Sequence, residues 1–248
     1  MKKNKKNILI IGGCGLIGKQ ITQSLLSENN FVFNVDLINN NEFKKYKNYF
    51  FLKSDISKFI NHESIIKNAI KNLDTFNNLI YCAYPKSRDW GKKLDQIEHK
   101  DVIKNFEKQL IAPLFFTNKI IKYFSKNNGG NIIHFSSIQG TNQPKFHHYE
   151  KLNMTSPIEY SIIKSGIISM VKYLSKYHRN KNIKINSISP GGIKNNQNKL
   201  FQNRYRRDCN DKGLLEPNDL VGIVNFLISD SSKYINGQNL IIDDGWSL

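Results

Sequence analysis

Tyr160 and Lys164 are four residues apart, so on a helix their phenol and ammonium stand one turn apart on a single face. A free phenol titrates near pH 10 and is a poor base at neutrality. Each unit of depression takes about 1.4 kcal/mol of preferential phenolate stabilisation, which a nearby ammonium supplies. The chemistry open to such a pair is proton transfer at an alcohol or carbonyl oxygen. Ser137, just beyond an apolar run at 131–135, falls near the same place, where its hydroxyl would hydrogen-bond that oxygen. A Tyr–Lys pair taken alone is more often a solvated helix face, so its surroundings decide.

Those surroundings favour a helix. Ser156-Pro157-Ile158-Glu159 reads as a start with Ser at the N-cap, Pro first and Glu third. Ile163, Ile167, Val171 and Leu174 then supply an apolar stripe.

A second constellation lies near the beginning. Gly12-Gly13-Cys14-Gly15-Leu16-Ile17-Gly18 follows an apolar run and opens an amphipathic stretch. Gly13, Gly15 and Gly18 fit the G-x-G-x-x-G spacing, which lets a backbone turn tightly and aim helix N-terminal N–H groups at a pyrophosphate. Asp36 ends the next run eighteen positions after Gly18, where a carboxylate accepts from ribose hydroxyls and repels a 2′-phosphate. Leu37 and Ile38 follow and no Arg stands there, so NAD is favoured over NADP. Asp55-Ile56 closes a third run and is either an adenine contact or a helix-start carboxylate before Ser57.

The elements that must position these residues are legible as rhythm. Apolar runs at 7–11, 31–36, 49–54, 78–82, 131–135, 183–188 and 239–242 alternate with helical patterns such as Ile17, Ile21 and Leu25. One long helical stretch covers 95–126. Strand alternating with helix predicts an α/β fold, a Rossmann-type doubly wound parallel sheet flanked by helices in three layers. At 248 residues with no long linker, residues 1–248 read as a single domain. Two segments, 139–159 and 190–215, are long, polar and without clear period, and loops of that kind cover binding sites above the strand ends.

Composition excludes more than it identifies. The formal charge of +17 invites a nucleic-acid reading, but Lys and Asn are spread along the whole chain, at 2–6, 44–47 and 194–199. No basic stripe is interleaved with stacking aromatics, so no nucleic-acid partner is expected. Cys14, Cys82 and Cys209 are isolated, which implies neither a disulfide framework nor a zinc site. No run has signal-peptide or membrane-spanning length, so a cytoplasmic enzyme with no membrane partner is expected. His147 and His148 read as solvated loop residues without a third metal ligand, and no metal is expected. Lys145, Arg204, Arg206 and Arg207 lie in the covering segments, suited to a phosphate. Cys14 and Cys82 read as small core residues, and Trp246 as a packing residue.

Over essentially its whole length the sequence resembles the short-chain dehydrogenase/reductase family. The resemblance rests on Gly12 to Gly18, Asp36, Asp55, Ser136-Ser137, Tyr160-Ser161-Ile162-Ile163-Lys164, Asn-Ser-Ile-Ser-Pro-Gly-Gly at 186–192, and Gly237-Gln238 with Asp243-Asp244-Gly245. It implies NAD(P)-dependent oxidoreduction in which Tyr160 is the acid/base and Ser137 orients the reacting oxygen. Lys164 would lower the tyrosine pKa and hold the nicotinamide ribose, while Pro190, Gly191 and Ile193 line the nicotinamide. Gln109 stands where the family has the asparagine of a catalytic tetrad, and would place a relay water. The family's Asn-Asn-Ala-Gly becomes Tyr81-Cys82-Ala83-Tyr84, leaving Ala83 at the adenine side. The spacing Gly12, Gly15, Gly18 resembles the extended, sugar-nucleotide-modifying branch, whereas the short C-terminal part resembles the single-domain branch.

The enlarged segment before Tyr160, with Pro144-Lys145-Phe146-His147-His148-Tyr149-Glu150, and Tyr84-Pro85 look like the flagellin-modification (PtmA-like) subgroup tied to nonulosonic sugars. That implies a sugar or amino-sugar substrate, phosphorylated or nucleotide-linked, and a homo-oligomer, dimer or tetramer, formed through helices at 95–126 and 160–177. Two other readings stay open: a non-catalytic dinucleotide-binding subunit, motivated by Gln109 and the altered 81–84 segment, and a sugar-nucleotide epimerase or dehydratase.

Overall fold

Each of the seven apolar runs becomes a parallel strand: β1 Asn7–Ile11, β2 Phe31–Asp36, β3 Tyr49–Lys53, β4 Asn78–Tyr81, β5 Gly130–Phe135, β6 Ile183–Pro190 and β7 Asn239–Ile242. The computed structural model describes residues 5–88 and 90–248; the basic stretch at 1–4 lies outside the described residues. The strands form one sheet in the order β3-β2-β1-β4-β5-β6-β7. The order reverses between β1 and β4, and in sheets of this kind ligands bind in the crevice at such a switch point.

Helices α1 Leu16–Ser27 and α7 Val221–Leu227 cover one face, and α2 Asn61–Leu73, α4 Ala112–Lys126 and α5 Ile158–Tyr177 cover the other. Alternate side chains of each strand therefore enter two separate cores. Leu9, Ile11, Phe33 and Val35 pack with Ile65, Phe116 and Ile163, while Ile8, Ile10 and Val32 pack with Ile21, Leu25 and Val224. Burial on both faces is why the strands read as continuous apolar runs. The expected doubly wound, three-layer α/β fold is the one the chain forms.

Three expectations about local structure are corrected. The stretch at 95–126 is not one helix: α3 His99–Phe106 passes through a π-turn at Glu107–Ile111 into α4. Pro113 is the cause, since it has no N–H for the carbonyl four residues back at Gln109; the turn widens and Ala112 donates to the Glu107 oxygen instead. The segment at 190–215 is not wholly irregular, because Asn198 caps the amide of Leu200 and starts α6 Lys199–Arg207, burying Phe201 and Tyr205. Finally, Ser156 does not cap α5. Its hydroxyl donates to Gln139 Oε1, the helix starts after Pro157 without a side-chain cap, and Glu159 is buried with one carboxylate oxygen unpaired.

Candidate active site

A cavity of about 600 Å³ lies above the carboxyl ends of β1 to β6, where Ile11, Val35, Ser54, Cys82, Phe135 and Pro190 open into it. At one end is the glycine turn. Gly12 has φ +82°, and a Cβ there would come within 2.6 Å of the Ala83 backbone, so turn and β4 end meet with no room for a side chain. A Cβ on Gly18 would lie 2.1 Å from the Gly12 oxygen, which sets how closely α1 approaches the turn.

The other two glycines differ. Gly13 is buried beneath the turn, its N–H donating to Asn34 Oδ1 at 3.0 Å, and it does not line the cavity. Gly15 is exposed, and a Cβ on it would meet protein only at 3.4 Å. The protein's own packing thus leaves free space at Gly15, at a helix start that carries neither a side-chain cap nor an acidic residue in its first turn. Free N–H groups over open space fit a pyrophosphate.

Asp36 sits beside this turn. Its Oδ2 accepts from the Cys14 amide at 2.9 Å and its Oδ1 from the Leu37 amide at 2.7 Å, which holds the carboxylate at the cavity rim. Leu16, Ile17, Leu37, Asp55, Ile56 and Ala83 complete this end. Asp55 also caps its own turn, accepting from the Ser57 amide and hydroxyl at 2.9 and 2.7 Å. Burial pushes the thiols of Cys14 and Cys82 upward, which disfavours the thiolate a nucleophile needs.

At the far end, β5 delivers Ser137 and α5 delivers Tyr160 and Lys164 to one wall. Two contacts hold helix to strand: Ser136 Oγ donates to the Lys164 carbonyl at 2.7 Å, and Lys164 Nζ to the Phe135 carbonyl at 3.0 Å. The Nζ lies 5.5 Å from the Tyr160 ring centroid. Gln109, inside the π-turn, is 4 % exposed; its Nε2 donates to the Pro85 carbonyl at 3.1 Å, and its Oε1 is buried with no partner.

Tyr84 and Trp90 were not anticipated as site residues. Their rings stand edge-on to Tyr160 at 5.7 and 6.0 Å and to each other at 5.5 Å. The signal was present, since Tyr84 marks the departure from the family's glycine.

The remaining wall comes from the covering segments. Pro190 ends β6, Gly191 and Ile193 follow it into this wall, and the Gly192 amide donates to Tyr205 Oη at 2.6 Å. Tyr149, Met154, Phe201, Tyr205 and Trp246 face the cavity, with Tyr205 and Trp246 stacked at 5.8 Å. Trp246 is 2 % exposed and packs within the chain. The basic residues divide. Arg204 donates to the Glu150 carbonyl and Arg206 to that of Asp211, whereas Lys145 and Arg207 line a neighbouring cavity of about 760 Å³. His148 is not solvated: it is 1 % exposed and 2.6 Å from Asp208, a third ligand-type group not visible in the sequence spacing.

The family model described as enoyl-(acyl carrier protein) reductase matches residues 17–247. The post-translational flagellin modification protein A of Campylobacter coli is 34 % identical over 98 % of both chains. The chain belongs to the short-chain dehydrogenase/reductase family. It is an oxidoreductase of that family. A short-chain dehydrogenase from Leptospira borgpetersenii with bound NAD+ superposes with a TM-score of 0.91 at 28 % identity, covering 99 % of this chain and 94 % of that one. ElxO with NADP bound shares the fold at a TM-score of 0.82 and 24 % identity, covering 98 % of this chain and 99 % of its own.

In this short-chain dehydrogenase/reductase the electrostatics of the Tyr–Lys pair depart from the expected depression of the phenol. Burial pushes the Tyr160 phenol up, and a hydrogen bond with Ser137 pulls against it. The Lys164 ammonium is turned to the Phe135 carbonyl and is itself brought down to about 8 by burial. For both groups the cost of burying charge is the largest influence.

Proposed function

We propose that the chain is an NAD(H)-dependent oxidoreductase interconverting a secondary alcohol and a carbonyl on a sugar or amino sugar, phosphorylated or nucleotide-linked, in surface-glycan biosynthesis. The observation that carries this reading is the convergence of Ser137, Tyr160 and Lys164 at one end of a cavity whose other end is the Gly12–Gly18 turn and Asp36. Gly12, Gly15, Leu16, Ile17 and Gly18 hold the pyrophosphate, with Gly13 bracing the turn from beneath. Asp36 accepts from the adenosine ribose hydroxyls, and the exposed Leu37 and Ile38 offer nothing to a 2′-phosphate. Asp55, Ile56 and Ala83 flank the adenine, while Pro190, Gly191 and Ile193 line the nicotinamide. When bound, the nicotinamide supplies or takes the hydride.

The chain's residues handle the proton. Tyr160 passes it to or from the substrate oxygen, Ser137 holds that oxygen, and Lys164 Nζ reaches the nicotinamide ribose from its place on the Phe135 carbonyl. The unpaired Gln109 Oε1 requires a donor, which a relay water provides. A saccharide suits the rest of the wall, because Tyr84, Tyr149, Tyr205 and Trp246 offer flat apolar faces beside the polar Gln139, Asn195 and Gln197. The relative of 34 % identity is named for post-translational modification of flagellin, which is in keeping with this reading.

Three unpaired cysteines suit a reducing, cytoplasmic location, and among the described residues no helix is long and apolar enough to cross a membrane. Ile111, Phe115, Ile158, Ile162, Tyr173 and Tyr177 leave an apolar face on the π-turn, α4 and α5, which a second copy covers in the dimer or tetramer we propose. The deciding experiment follows NADH formation or consumption against a panel of phosphorylated and nucleotide-linked sugars. Tyr160→Phe should lower turnover by about 10²- to 10⁴-fold with cofactor affinity unchanged. Wild-type turnover retained by Tyr160→Phe overturns the assignment; cofactor binding with no redox change on any sugar supports a regulatory subunit instead.

A further inference from the structure

The two covering segments meet at a cluster that the proton-transfer site does not use. His147 and His148 close a 3₁₀ turn at Phe146–His148, and Asp208 ends α6. His148 Nε2 lies 2.6 Å and His147 Nε2 3.1 Å from the same Asp208 Oδ2, and the three ligand atoms are all within 4.8 Å of one another. We infer that His147, His148 and Asp208 form a binding site for a divalent transition-metal ion of the zinc class, which ties the segment before α5 to α6.

The donor set selects the metal. Two imidazole nitrogens and one carboxylate oxygen suit Zn²⁺, Ni²⁺ or Cu²⁺, whereas Mg²⁺ and Ca²⁺ take oxygen ligands. Around a tetrahedral ion with bonds of about 2.0–2.1 Å, ligand atoms stand about 3.3 Å apart. The His148–Asp208 pair reaches that separation by opening less than an ångström, and the His147–Asp208 pair is already close to it. His148 is held in place: it is 1 % exposed, with its ring packed on Tyr205, Phe201 and Trp246 at 5.4, 6.0 and 6.0 Å. Three protein ligands leave a fourth position for water, and Asp208 borders the open cavity of about 760 Å³ from which water enters.

One neighbour opposes the ion. Lys145 Nζ lies 3.8 Å from the same Asp208 oxygen and 4.8 Å from the Trp246 ring centroid. It competes with a metal for the carboxylate and must swing toward solvent when the ion binds. Without metal, His148 is hydrogen-bonded to Asp208 and Lys145 is ion-paired with it, and this competition separates the two states experimentally. Because Tyr205 and Trp246 pack on His148 and also line the main cavity, the ion acts as a positioning element for that wall.

The test uses the full chain, freed of any affinity tag and stripped with EDTA. Calorimetric titration with Zn²⁺ should show one ion per chain, Mg²⁺ none, and the melting temperature should rise with Zn²⁺. Co²⁺ should give the visible d–d absorption of a four-coordinate ion. His147→Ala, at a half-exposed position that leaves the fold intact, should abolish binding, as should Asp208→Asn; Lys145→Met should tighten it. No Zn²⁺ binding, or binding retained in both His147→Ala and Asp208→Asn, overturns the site. Binding that weakens in Lys145→Met overturns the competition. All these readouts are independent of substrate and of turnover.

Discussion

The glycine end of the cavity and its covering wall are built on opposite plans. The glycine end is made of backbone: Gly12 against Ala83, Gly18 against the Gly12 oxygen, and the amides of Cys14 and Leu37 on Asp36. Apart from Ala83, which follows β4, its parts succeed one another through a single β-α-β unit. The covering wall is made of side chains from distant segments, with Tyr149, Phe201, Tyr205 and Trp246 packed around the His148 ring. A backbone site tolerates almost no change at a few positions, whereas a side-chain wall is divided among many contacts and can be altered by degrees.

The largest test of this contrast is Gly18→Ala. Overpacking against the Gly12 oxygen costs about 1–3 kcal/mol, more than the helix-propensity gain of about 1 kcal/mol at an interior glycine. The variant should melt lower and lose measurable NADH binding in a fluorescence titration; unchanged binding would break the backbone half of the comparison.

Lys164, between the two regions, gives a pH signature. Its folded pKa of about 8 lies below the ordinary lysine value of 10.5, so the unfolded chain holds more protons between those values. Stability conferred at this site therefore rises as pH increases from about 8 to 10.5. Denaturant midpoints of wild type relative to Lys164→Met should climb across that window, and parallel curves would show that the amine is not buried as described.

Cofactor choice is the next contrast. Asp36→Ala with Leu37→Arg removes the ribose acceptor and adds a phosphate partner. With hydrogen bonds to charged groups worth about 1.5–3 kcal/mol, preference should swing toward NADP by ten- to a hundredfold, read from the ratio of the two kcat/KM values. The smallest effect is expected from Tyr205→Phe, which removes the acceptor for the Gly192 amide. A loss of about 0.5–1.5 kcal/mol corresponds to a several-fold rise in substrate KM. Cofactor affinity should stay the same, and a matching loss of cofactor affinity would show that the two regions are not independent.

Legibility in the sequence followed the same division. The strands, the turn, Asp36, and the pairing of Tyr160 with Lys164 could be read from period and spacing, with strand ends displaced by a residue or two. Gly13 and Gly15 could not be told apart, because which one faces open space depends on Asn34 from another strand. The π-turn at Gln109 had a local cause in Pro113, yet the uninterrupted apolar pattern concealed it. Phe201 and Tyr205 at helical spacing after Asn198 were the missed sign of α6.

What the sequence determined by itself is the backbone-level half: alternating β and α units, a glycine turn between the first strand and helix, and a helix bringing a phenol and an amine to one face. These follow from steric limits and periodicity, which act over a few residues. Only the tertiary structure decided the rest. Lys164 is turned to the Phe135 carbonyl, the Tyr160 phenol is pushed up by burial, Tyr84 and Trp90 flank it, and His147 and His148 meet Asp208. Desolvation and side-chain convergence depend on what distant segments bring together, and neither is a function of spacing along the chain.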